Sequence, residues 1–503
     1  MQFNVGMLLT RRSRLEPDKI GLAFEGQSLT YRELNERCNR WAHAFTDLGV
    51  RKGDRVGILL KNCNEFLEAY FGLAKIGSII VPLNWRLTPP ELEYMCKDSG
   101  LRVLICGAEF SQPLETIRPK LEIQHYLSVG VTGPPWAKDS SFVSQFPTTE
   151  PKLATTGEDP ALILYTAGTT GYPKGTVRPH ESLFWFSAEL LLAADMRSED
   201  RIFTALPLFH GPGLIFAGMA NVHKGCTTVL MKDPDPLKML ETIQKETING
   251  CVIVPTMLQR MTQVPYFETY LKMVRWVLSV QTVPVPLMRT YTALGVKVQQ
   301  TYGSTEAGWG TFIGPEQSAR KPGSAGLPFF HTEIRIVNEE GVDVIRGDVG
   351  EILVKGPDVM KEYWNNPQAT KEAIRDGWCY TGDLGRLDED GYLYILDRKT
   401  DMIKSGGEKV YPIEVENVLH AHPKIAEVAV IGQSDEVWGE KVCALVRLKE
   451  GEILLPEELI DFCEGKLARY KIPKRVVMRE QPLPRNAAGK VLKRVLREEY
   501  AAG

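Results

Sequence analysis

The sequence has no paired cysteines, no long apolar run and no excess of charge of either sign. Its nine cysteines are scattered and odd in number, and none belongs to a Cys-x-x-Cys pair. This pattern argues against both a disulfide framework and a zinc site, and it is typical of a reducing compartment, so we predict a cytoplasmic protein. No stretch is long and apolar enough to span a bilayer, and the Val5–Leu9 run is too short and interrupted for a signal peptide.

The charge balance argues against a nucleic-acid partner. Sixty Lys and Arg residues stand against 63 Asp and Glu residues, which gives a formal net charge of −3. Such a balance lacks the basic footprint of nucleic-acid-binding proteins. We therefore expect no nucleic-acid partner, while contact with a membrane surface and formation of a homo-oligomer stay open.

The pattern of apolar residues predicts an α/β fold. At 503 residues the chain exceeds the size at which a single hydrophobic core stops growing. Helix-like segments such as Tyr31–Leu48 alternate with short apolar runs such as Val56–Leu60 and Ser78–Val81, with glycines between them. Alternating helices and short apolar strands indicate α/β architecture for the large N-terminal part.

A domain boundary is predicted near residues 397–401, where a charged cluster follows the strand-like run Tyr392–Leu396. Beyond it the pattern starts again, with two predicted strands and a predicted helix over Pro456–Ala468. About a hundred residues suffice for a small α+β domain. We predict a large N-terminal domain of α/β subdomains over residues 1–396 and a small α+β C-terminal domain over residues 402–503.

One segment predicts a phosphate-binding loop. Tyr165–Gly175 reads Tyr-Thr-Ala-Gly-Thr-Thr-Gly-Tyr-Pro-Lys-Gly, and the apolar run Ala161–Leu164 predicts a buried strand that leads into it. Glycines let successive backbone N–H groups turn toward one anion, hydroxyls add donors, and Lys174 supplies positive charge. The loop is not a Walker A motif, because the lysine is followed by Gly175 and not by Ser or Thr. A P-loop ATPase is therefore disfavoured.

Several motifs in a fixed order make the chain resemble the adenylate-forming enzymes, the family of acyl-CoA synthetases, firefly luciferase and the adenylation domains of peptide synthetases. The phosphate loop is the first motif. The others are Tyr302-Gly303-Ser304-Thr305-Glu306, Tyr380-Thr381-Gly382-Asp383, Asp397-Arg398-Lys399-Thr400-Asp401, Lys404-Ser405-Gly406-Gly407 and Pro484-Arg485-Asn486-Ala487-Ala488-Gly489-Lys490. The resemblance implies an ATP-dependent acyl-CoA synthetase. In such an enzyme a carboxylate attacks the α-phosphate of ATP, pyrophosphate leaves, and the thiol of coenzyme A then displaces AMP.

The resemblance also assigns nucleotide-binding residues. Two anions react in the first step, so cations and oriented donors must stand where charge develops. Lys490 is implied as the adenylation lysine, Thr305 as a hydroxyl beside the α-phosphate, and Glu306 as the carboxylate associated with Mg²⁺. The other implied nucleotide contacts are Thr166, Gly168, Thr169, Thr170, Gly171 and Lys174 at the phosphates, Tyr302 on the adenine, Asp383 at the ribose, and Arg398 at the ribose or phosphates.

For the second step the resemblance implies that the small domain is mobile and rotates about a hinge at 397–401. This rotation would withdraw Lys490 and present the glycine loop to coenzyme A. Gly406 and Gly407 have no side chains to block a narrow channel for the pantetheine thiol. The hinge pivot falls on Thr400, where the family commonly carries Lys or Asp. Rotation is still expected, since hinges depend chiefly on backbone freedom.

The acid is implied to bind beside the Leu206–Gly211 segment, with His210 as a catalytic-site residue near the acyl group. Amino-acid-activating relatives commonly carry Asp after the Phe of this segment, where it holds the substrate ammonium. His210 removes that anchor, so amino-acid activation is disfavoured, and the apolar residues implied for the pocket favour a fatty or aromatic acid. The implied acyl pocket consists of Phe184, Trp185, Phe209, Gly308 and Trp309.

One segment departs from the family pattern. Val280-Gln281-Thr282-Val283 stands where relatives usually carry Gly-Gly-Ala-Pro beside the adenine. Its bulkier side chains either point away from the base and leave the backbone contacts intact, or loosen nucleotide binding.

Two other functions stay open. An acyl-AMP ligase that loads a carrier protein would resemble this chain, but such enzymes tend to carry an inserted segment before the hinge, and none is evident here. A non-catalytic sensor of acyl groups or nucleotides would not need to retain residues used only in turnover. The chain carries all five of the charged residues implied in turnover, namely Lys174, Glu306, Asp383, Arg398 and Lys490.

Overall fold

The structure is a computed structural model, and it describes residues 4–130, 133–152, 155–166, 173–485 and 491–500. The chain divides into two compact units. Unit 1 comprises Met1–Ile334 and Val354–Tyr380, and unit 2 comprises Arg335–Leu353 and Thr381–Gly503.

The strands, in chain order, are β1 (Ile20–Phe24), β2 (Gln27–Thr30), β3 (Arg55–Leu59), β4 (Ile79–Pro82), β5 (Val103–Gly107), β6 (His125–Val129), β7 (Lys138–Asp139), β8 (Pro160–Thr166), β9 (Lys174–Pro179), β10 (Arg201–Thr204), β11 (Thr227–Leu230), β12 (Gly250–Ile253), β13 (Trp276–Ser279), β14 (Lys297–Ser304), β15 (Gly308–Ile313), β16 (Leu327–Pro328), β17 (Glu333–Val337), β18 (Gly350–Lys355), β19 (Glu362–Tyr363), β20 (Ile374–Arg375), β21 (Trp378–Leu387), β22 (Leu393–Arg398), β23 (Ile403–Ser405), β24 (Glu408–Val410), β25 (Ile425–Asp435), β26 (Gly439–Leu448) and β27 (Arg475–Met478).

The α-helices are α1 (Gly6–Leu15), α2 (Tyr31–Asp47), α3 (Asn64–Lys75), α4 (Pro89–Ser99), α5 (Ser111–Ile117), α6 (His180–Ala193), α7 (Gly211–Ile215), α8 (Asn221–Lys224), α9 (Pro236–Lys245), α10 (Pro255–Met261), α11 (Val285–Ala293), α12 (Pro315–Arg320), α13 (Pro367–Ala373), α14 (Pro412–His420), α15 (Pro456–Cys463) and α16 (Lys493–Glu499). None of the helices within the described ranges is long and apolar enough to cross a membrane.

Unit 1 is built on two sheets whose central strands are parallel. Their orders are β19-β9-β8-β4-β3-β5-β6-β7 and β16-β15-β14-β13-β12-β10-β11-β1-β2. Pairing is parallel from β8 to β7 in the first sheet and from β14 to β1 in the second. Antiparallel strands lie at the edges. Parallel neighbours require crossover connections, which most often contain helices, and the predicted α/β fold is confirmed.

Both faces of these sheets are buried. Leu162 on β8 and Val252 on β12 belong to the main core, while their chain neighbours Ile163 and Ile253 belong to separate cores on the opposite faces. Successive side chains of a strand point to opposite faces, so a strand covered on both sides is apolar throughout. This explains why the short apolar runs of the sequence show little polar alternation.

Local sequence signals set several element ends. The predicted helix Tyr31–Leu48 corresponds to α2, where the side chain of Thr30 accepts from the backbone N–H of Glu33 over 3.2 Å in a capping box. The prediction for Pro456–Ala468 was too long, because α15 ends at Cys463. There Glu464 is extended, with ψ 138°, and Gly465 adopts a left-handed φ of +71°.

Two further sheets contain most of the strands of unit 2. One has the order β17-β18-β21-β20, with β22 beside β21, and the other has the order β24-β23-β26-β25, with β27 beside β26. Residues 335–353 and 381–396, both assigned to the N-terminal domain from the sequence, group with unit 2. The predicted hinge at 397–401 covers the end of β22 and the connection to β23 in the other sheet. A hinge is defined by motion, so its place stays a prediction.

Candidate active site

Several of the predicted site residues of unit 1 directly follow or end strands that have parallel neighbours. The Leu206–Gly211 segment follows β10, residues 280–283 follow β13, and Thr305 and Glu306 follow β14, all in one sheet. Thr166 ends β8 in the other sheet. Ligands of open α/β sheets bind beyond the carboxyl ends of the strands, so the fold places these residues where a ligand site is expected.

The predicted phosphate loop connects two antiparallel strands. β8 ends at Thr166 and β9 begins at Lys174, and these two residues face each other in the ladder. Thr166 Oγ1 donates to the carbonyl oxygen of Lys174 over 3.4 Å. The strand predicted before the loop is confirmed. The loop residues Gly168, Thr169, Thr170 and Gly171 lie outside the described residues.

A tyrosine that is absent from the residues predicted from sequence lies between two of them. The hydroxyl of Tyr363 donates to Oε1 of Glu306 over 3.0 Å, and the Lys174 ammonium lies 5.1 Å from the centroid of the Tyr363 ring. Tyr363 belongs to β19, which pairs with β9 directly after the phosphate loop. Long-range strand pairing brings it there, so no local motif marks it.

A buried arginine, also absent from those predicted residues, supports the turn that carries Thr305 and Glu306. Arg178 on β9 is 1% exposed, and its guanidinium donates to the carbonyl oxygens of Thr305 and Asp358 and, over 3.1 Å, to Ser182 Oγ. Burial lowers the pKa of Arg178, and these acceptors replace the water that the guanidinium has lost. The strand that leaves the phosphate loop is thereby tied to the Thr305–Glu306 turn.

Asp358 fixes the start of β15. Its Oδ2 accepts from the backbone N–H of Trp309 over 2.7 Å, and burial raises the pKa of Asp358 to about 7. Gly308 adopts a φ of +74°, and a Cβ at this position would lie 2.6 Å from the Asp358 carboxyl group. Gly308 was predicted as an acyl-pocket residue, and the backbone requires glycine there whatever the substrate.

The segment that departs from the family pattern points its valines inward. Val280 packs against the main core and Val283 against a second core, and the backbone N–H of Val283 donates to Gln300 Oε1 over 2.6 Å. Tyr302, the predicted adenine platform, is 9% exposed on β14 and packs beside Gly310. Both valine side chains therefore pack into the protein interior, and the position of the adenine relative to them stays a prediction.

Two predicted acyl-pocket residues lie on α6. The rings of Phe184 and Trp185 are 5.8 Å apart, and Trp185 lies 4.9 Å from the ring of His331. His331 Nδ1 is 2.8 Å from Oε1 of Glu189, a fully buried residue of the same helix as the two aromatics. Aromatic rings and an imidazole therefore surround this part of α6.

The other predicted pocket residues lie elsewhere. Phe209 precedes α7, 4.5 Å from the ring of His210 and 6.1 Å from that of Trp85. Trp309 on β15 is 3% exposed, and its Nε1 donates to the carbonyl oxygen of Phe186 over 2.9 Å. Trp309 is thus a core residue in this structure, and its assignment to the acyl pocket rests on the resemblance alone.

His210 is neutral at neutral pH. Burial lowers the pKa of His210 to about 4, and the charge of Arg86 adds to this effect. The buried Nε2 of His210 has no hydrogen-bond partner among the described residues. In the unfolded chain the imidazole of His210 binds a proton with the ordinary pKa of 6.5, whereas in the folded protein it binds that proton only at lower pH. Burial of the neutral imidazole therefore contributes stability that is fully present above pH 6.5 and is lost as the pH falls from 6.5 toward 4.

We predict that His210 accounts for a loss of about 2 kcal/mol in unfolding free energy between pH 7 and pH 5. Denaturant unfolding of His210→Asn at both pH values should show a smaller acid-induced loss than the unsubstituted chain shows. Burial also lowers the pKa of His180 to about 4, so the variant should keep part of its acid sensitivity. An unchanged difference between the two pH values would contradict the burial of His210.

In unit 2, Asp383 and Arg398 form an ion pair. They lie opposite each other on β21 and β22, with Nε of Arg398 2.7 Å from Oδ1 of Asp383. The backbone N–H of Asp383 donates to Thr381 Oγ1 over 3.1 Å. The two predicted ribose residues are therefore brought together by strand register, fifteen residues apart in the chain.

Gly406 and Gly407 form the tip of the hairpin between β23 and β24. Their φ angles are +61° and +86°, the left-handed conformation that such two-residue turns require. A Cβ on Gly406 would lie 2.7 Å from the Trp438 ring, whereas a Cβ on Gly407 would meet no atom within 4 Å. Gly406 is therefore limited by packing, and Gly407 faces open space among the described residues.

Lys490 lies outside the described residues, but both ends of its loop are described. Arg485 and Val491 form an antiparallel bridge, and Nη2 of Arg485 lies 2.8 Å from Oε1 of Glu427. The residues on either side of the loop that carries Lys490 are therefore paired with each other in unit 2.

The acidic residues of the predicted hinge are paired with the helix that follows this loop. Nζ of Lys493 lies 3.8 Å from Oδ2 of Asp397, and Nη2 of Arg497 lies 2.6 Å from Oδ1 of Asp401. Burial raises the pKa of Asp397. Thr400, the predicted pivot, is exposed.

Comparison with known proteins covers nearly the whole chain. Residues 9–364 match the model of the AMP-binding enzyme family, and residues 414–490 match that of the AMP-binding enzyme C-terminal domain. The chain is 38% identical over 511 residues to the long-chain-fatty-acid–CoA ligase FadD13 of Mycobacterium tuberculosis, with 99% of each chain covered.

Two solved structures are similar in both sequence and fold. The o-succinylbenzoate CoA synthetase MenE from Bacillus subtilis, in complex with the acyl-adenylate intermediate OSB-AMP, is 34% identical with a TM-score of 0.86, and 97% of each chain is covered. ATP-bound MatB from Rhodopseudomonas palustris is 31% identical with a TM-score of 0.91, and 99% of each chain is covered.

This chain belongs to the AMP-binding enzyme family. The family resemblance drawn from the sequence motifs is confirmed, and so is the predicted division into a large α/β part and a small C-terminal domain. The roles of individual residues stay predictions.

Proposed function

We propose that this protein is an AMP-forming acid–CoA ligase. A fatty or aromatic carboxylate attacks the α-phosphorus of ATP and pyrophosphate leaves; the sulfur of coenzyme A then attacks the acyl carbon and AMP leaves. Similarity over nearly the full length to an acid–CoA ligase supports this reaction class. Within the structure, the proposal rests on the convergence of Lys174 and Glu306 on Tyr363, beside the hairpin that carries the phosphate loop.

The charged residues of the chain offset the repulsion between carboxylate and ATP. Lys174 binds the β- and γ-phosphates, with the hydroxyl of Thr166 as a further donor, and Thr305 donates to the α-phosphate. Lys490 approaches the carboxylate and the α-phosphate together, where negative charge grows in the transition state. Donors held in place before the reaction lower such a barrier more than mobile water does.

Glu306 is suited to hold one Mg²⁺ ion. Its carboxylate is partly buried, and Tyr363 already restrains one of its oxygens. Mg²⁺ usually binds through one or two carboxylates together with phosphate oxygens and waters. When bound, the ion would neutralise phosphate charge, and Glu306 would fix its place relative to Lys174.

Asp383 and Arg398 bind the nucleoside end of ATP in this proposal. The Asp383 carboxylate accepts from the ribose hydroxyls, and Arg398, 2.7 Å away, holds that carboxylate in one orientation. Tyr302 stacks on the adenine. These contacts are shared by ATP and acyl-AMP, so they serve both half-reactions.

We further propose that the acid carries no ammonium group beside its carboxylate. The position after Phe209 is occupied by His210, which is neutral because burial lowers its pKa to about 4. A neutral imidazole gives a cationic substrate no ionic partner. The rings of Phe209 and Trp85 near it suit an apolar or aromatic acyl group.

The proposal is tested by measuring AMP release with ATP and Mg²⁺ across a panel of acids, from acetate through long-chain fatty acids to benzoate and cinnamate types, each with and without coenzyme A. We expect AMP release that requires both coenzyme A and one class of acid. Amino acids serve as the matched negative set.

Two outcomes would overturn it in favour of the rival functions. Acyl-AMP that accumulates and ignores coenzyme A would favour a ligase that loads a carrier protein. Binding of nucleotide without turnover of any acid would favour a sensor.

A further inference from the structure

Residues 360–364 connect the phosphate hairpin to the turn that carries Glu306. The backbone N–H of Met360 donates to the carbonyl oxygen of Glu306 over 2.8 Å, and that of Trp364 donates to the carbonyl oxygen of Gly175 over 2.7 Å. Gly175 follows Lys174 directly. One short segment is therefore hydrogen-bonded to the backbone of Glu306 and to that of Gly175, the residue after Lys174.

Tyr363 extends this connection from backbone to side chains. Its hydroxyl donates to Oε1 of Glu306 over 3.0 Å, and its ring lies 5.1 Å from the Lys174 ammonium. The residue is 8% exposed, and it packs with Met360 and Ala369. A buried ring has few rotamers, so its two functional contacts are held in fixed positions relative to each other.

We propose that Tyr363 is a positioning residue that sets the distance and orientation between the metal-binding carboxylate and the phosphate-binding lysine. This inference rests on the proposed function, in which Glu306 and Lys174 act on one Mg–ATP complex. The hydroxyl restrains the Glu306 carboxylate, and the ring face attracts the Lys174 ammonium. Tyr363 acts through these two groups.

The two contacts make separable predictions. Tyr363→Phe keeps the ring and removes the hydroxyl, so only the Glu306 carboxylate is released. Partners that orient metal ligands typically change metal affinity by 10- to 100-fold when they are removed. The ratio of ATP affinity with Mg²⁺ to ATP affinity in EDTA should therefore be about 10-fold smaller in this variant than in the unsubstituted protein. ATP affinity in EDTA should stay unchanged.

Tyr363→Leu removes the ring as well. ATP affinity in EDTA should then also fall, by about 2- to 5-fold, because Lys174 loses its cation–π partner. Calorimetric titration with ATP in EDTA and at several Mg²⁺ concentrations measures both effects without any acid or turnover.

Tyr291→Phe is the matched control for loss of a buried tyrosine hydroxyl. Tyr291 is fully buried in a separate core, where its hydroxyl donates to the carbonyl oxygen of Leu258 over 2.9 Å. We expect a lowered melting temperature in this variant and no change in the Mg²⁺ effect. A merely structural role for Tyr363 would give the same pattern in Tyr363→Phe, and that result would overturn the proposal.

The failure of this inference differs from failure of the ligase proposal. If Tyr363→Phe retains the full Mg²⁺ effect while the unsubstituted protein releases AMP with an acid and coenzyme A, the positioning role is wrong and the ligase stands. If the Mg²⁺ effect is lost in the variant but no acid supports turnover in the unsubstituted protein, the positioning role stands and the ligase is wrong.

Discussion

Lys490→Ala is expected to slow acyl-AMP formation by about 10²- to 10³-fold, the scale for loss of one donor to a transition-state charge. Lys490 is the lysine of the C-terminal motif, and in the proposed mechanism it meets the carboxylate and α-phosphate only during adenylation. Thioester formation from supplied acyl-AMP should therefore change much less. Pyrophosphate release measures the first step, and AMP release from purified acyl-AMP with coenzyme A measures the second.

Lys449→Ala is the control for removal of a lysine charge from unit 2. Lys449 is exposed and directly follows β26, so neither half-reaction should change. An equal loss of both half-reactions in Lys490→Ala would contradict the alternation of two domain arrangements, because the lysine would then be needed in both.

Gly407→Leu is expected to reduce coenzyme A-dependent turnover by about 100-fold while adenylation stays normal. A leucine here would project from a hairpin tip into space that is open among the described residues, which is where the pantetheine chain is proposed to pass. Displacement of a reacting group by about 1 Å costs about 10²-fold in rate. The measurement compares pyrophosphate release without coenzyme A with acyl-CoA formation.

Gly451→Leu controls for backbone strain in this test. Gly451 has a φ of +80°, close to the +86° of Gly407, and a Cβ there would likewise meet no atom within 4 Å. Both variants carry the same left-handed strain, and only Gly407 lies in the motif assigned to coenzyme A. Normal acyl-CoA formation by Gly407→Leu would remove that assignment.

The reaction class followed from the family resemblance, whose motifs are local and occur in a fixed order. Loops that bind phosphate need glycines, hydroxyls and a lysine within a few residues, and Tyr165–Gly175 supplies all of them. The predicted acid–CoA ligase class is confirmed by similarity over the whole chain. The strand leading into the loop was also predictable, since an apolar run of four residues is long enough to mark a buried strand.

The supporting residues of the site were not predictable in this way. Tyr363, Arg178 and Asp358 contact the Thr305–Glu306 turn or its neighbours from positions that are distant in the chain. The spacing of residues in the sequence does not show that β19 pairs with β9. The contact between Tyr363 and Glu306 is therefore visible only in the folded structure. The acyl pocket shows the same limit, because Trp309 matches the family position yet packs in the core.

The sequence by itself determined the family and the α/β class, because ordered motifs and short apolar runs are local signals. The residues expected to touch ATP follow from the family resemblance and stay predictions. Tertiary structure decided the contacts within each unit. In unit 1 it places β19 beside the phosphate hairpin and Arg178 as a donor to the Thr305 carbonyl oxygen, and in unit 2 it places Asp383 opposite Arg398. It also grouped residues 335–353 and 381–396 with the smaller unit. These features depend on pairing between distant strands and on burial, which are properties of the folded chain as a whole.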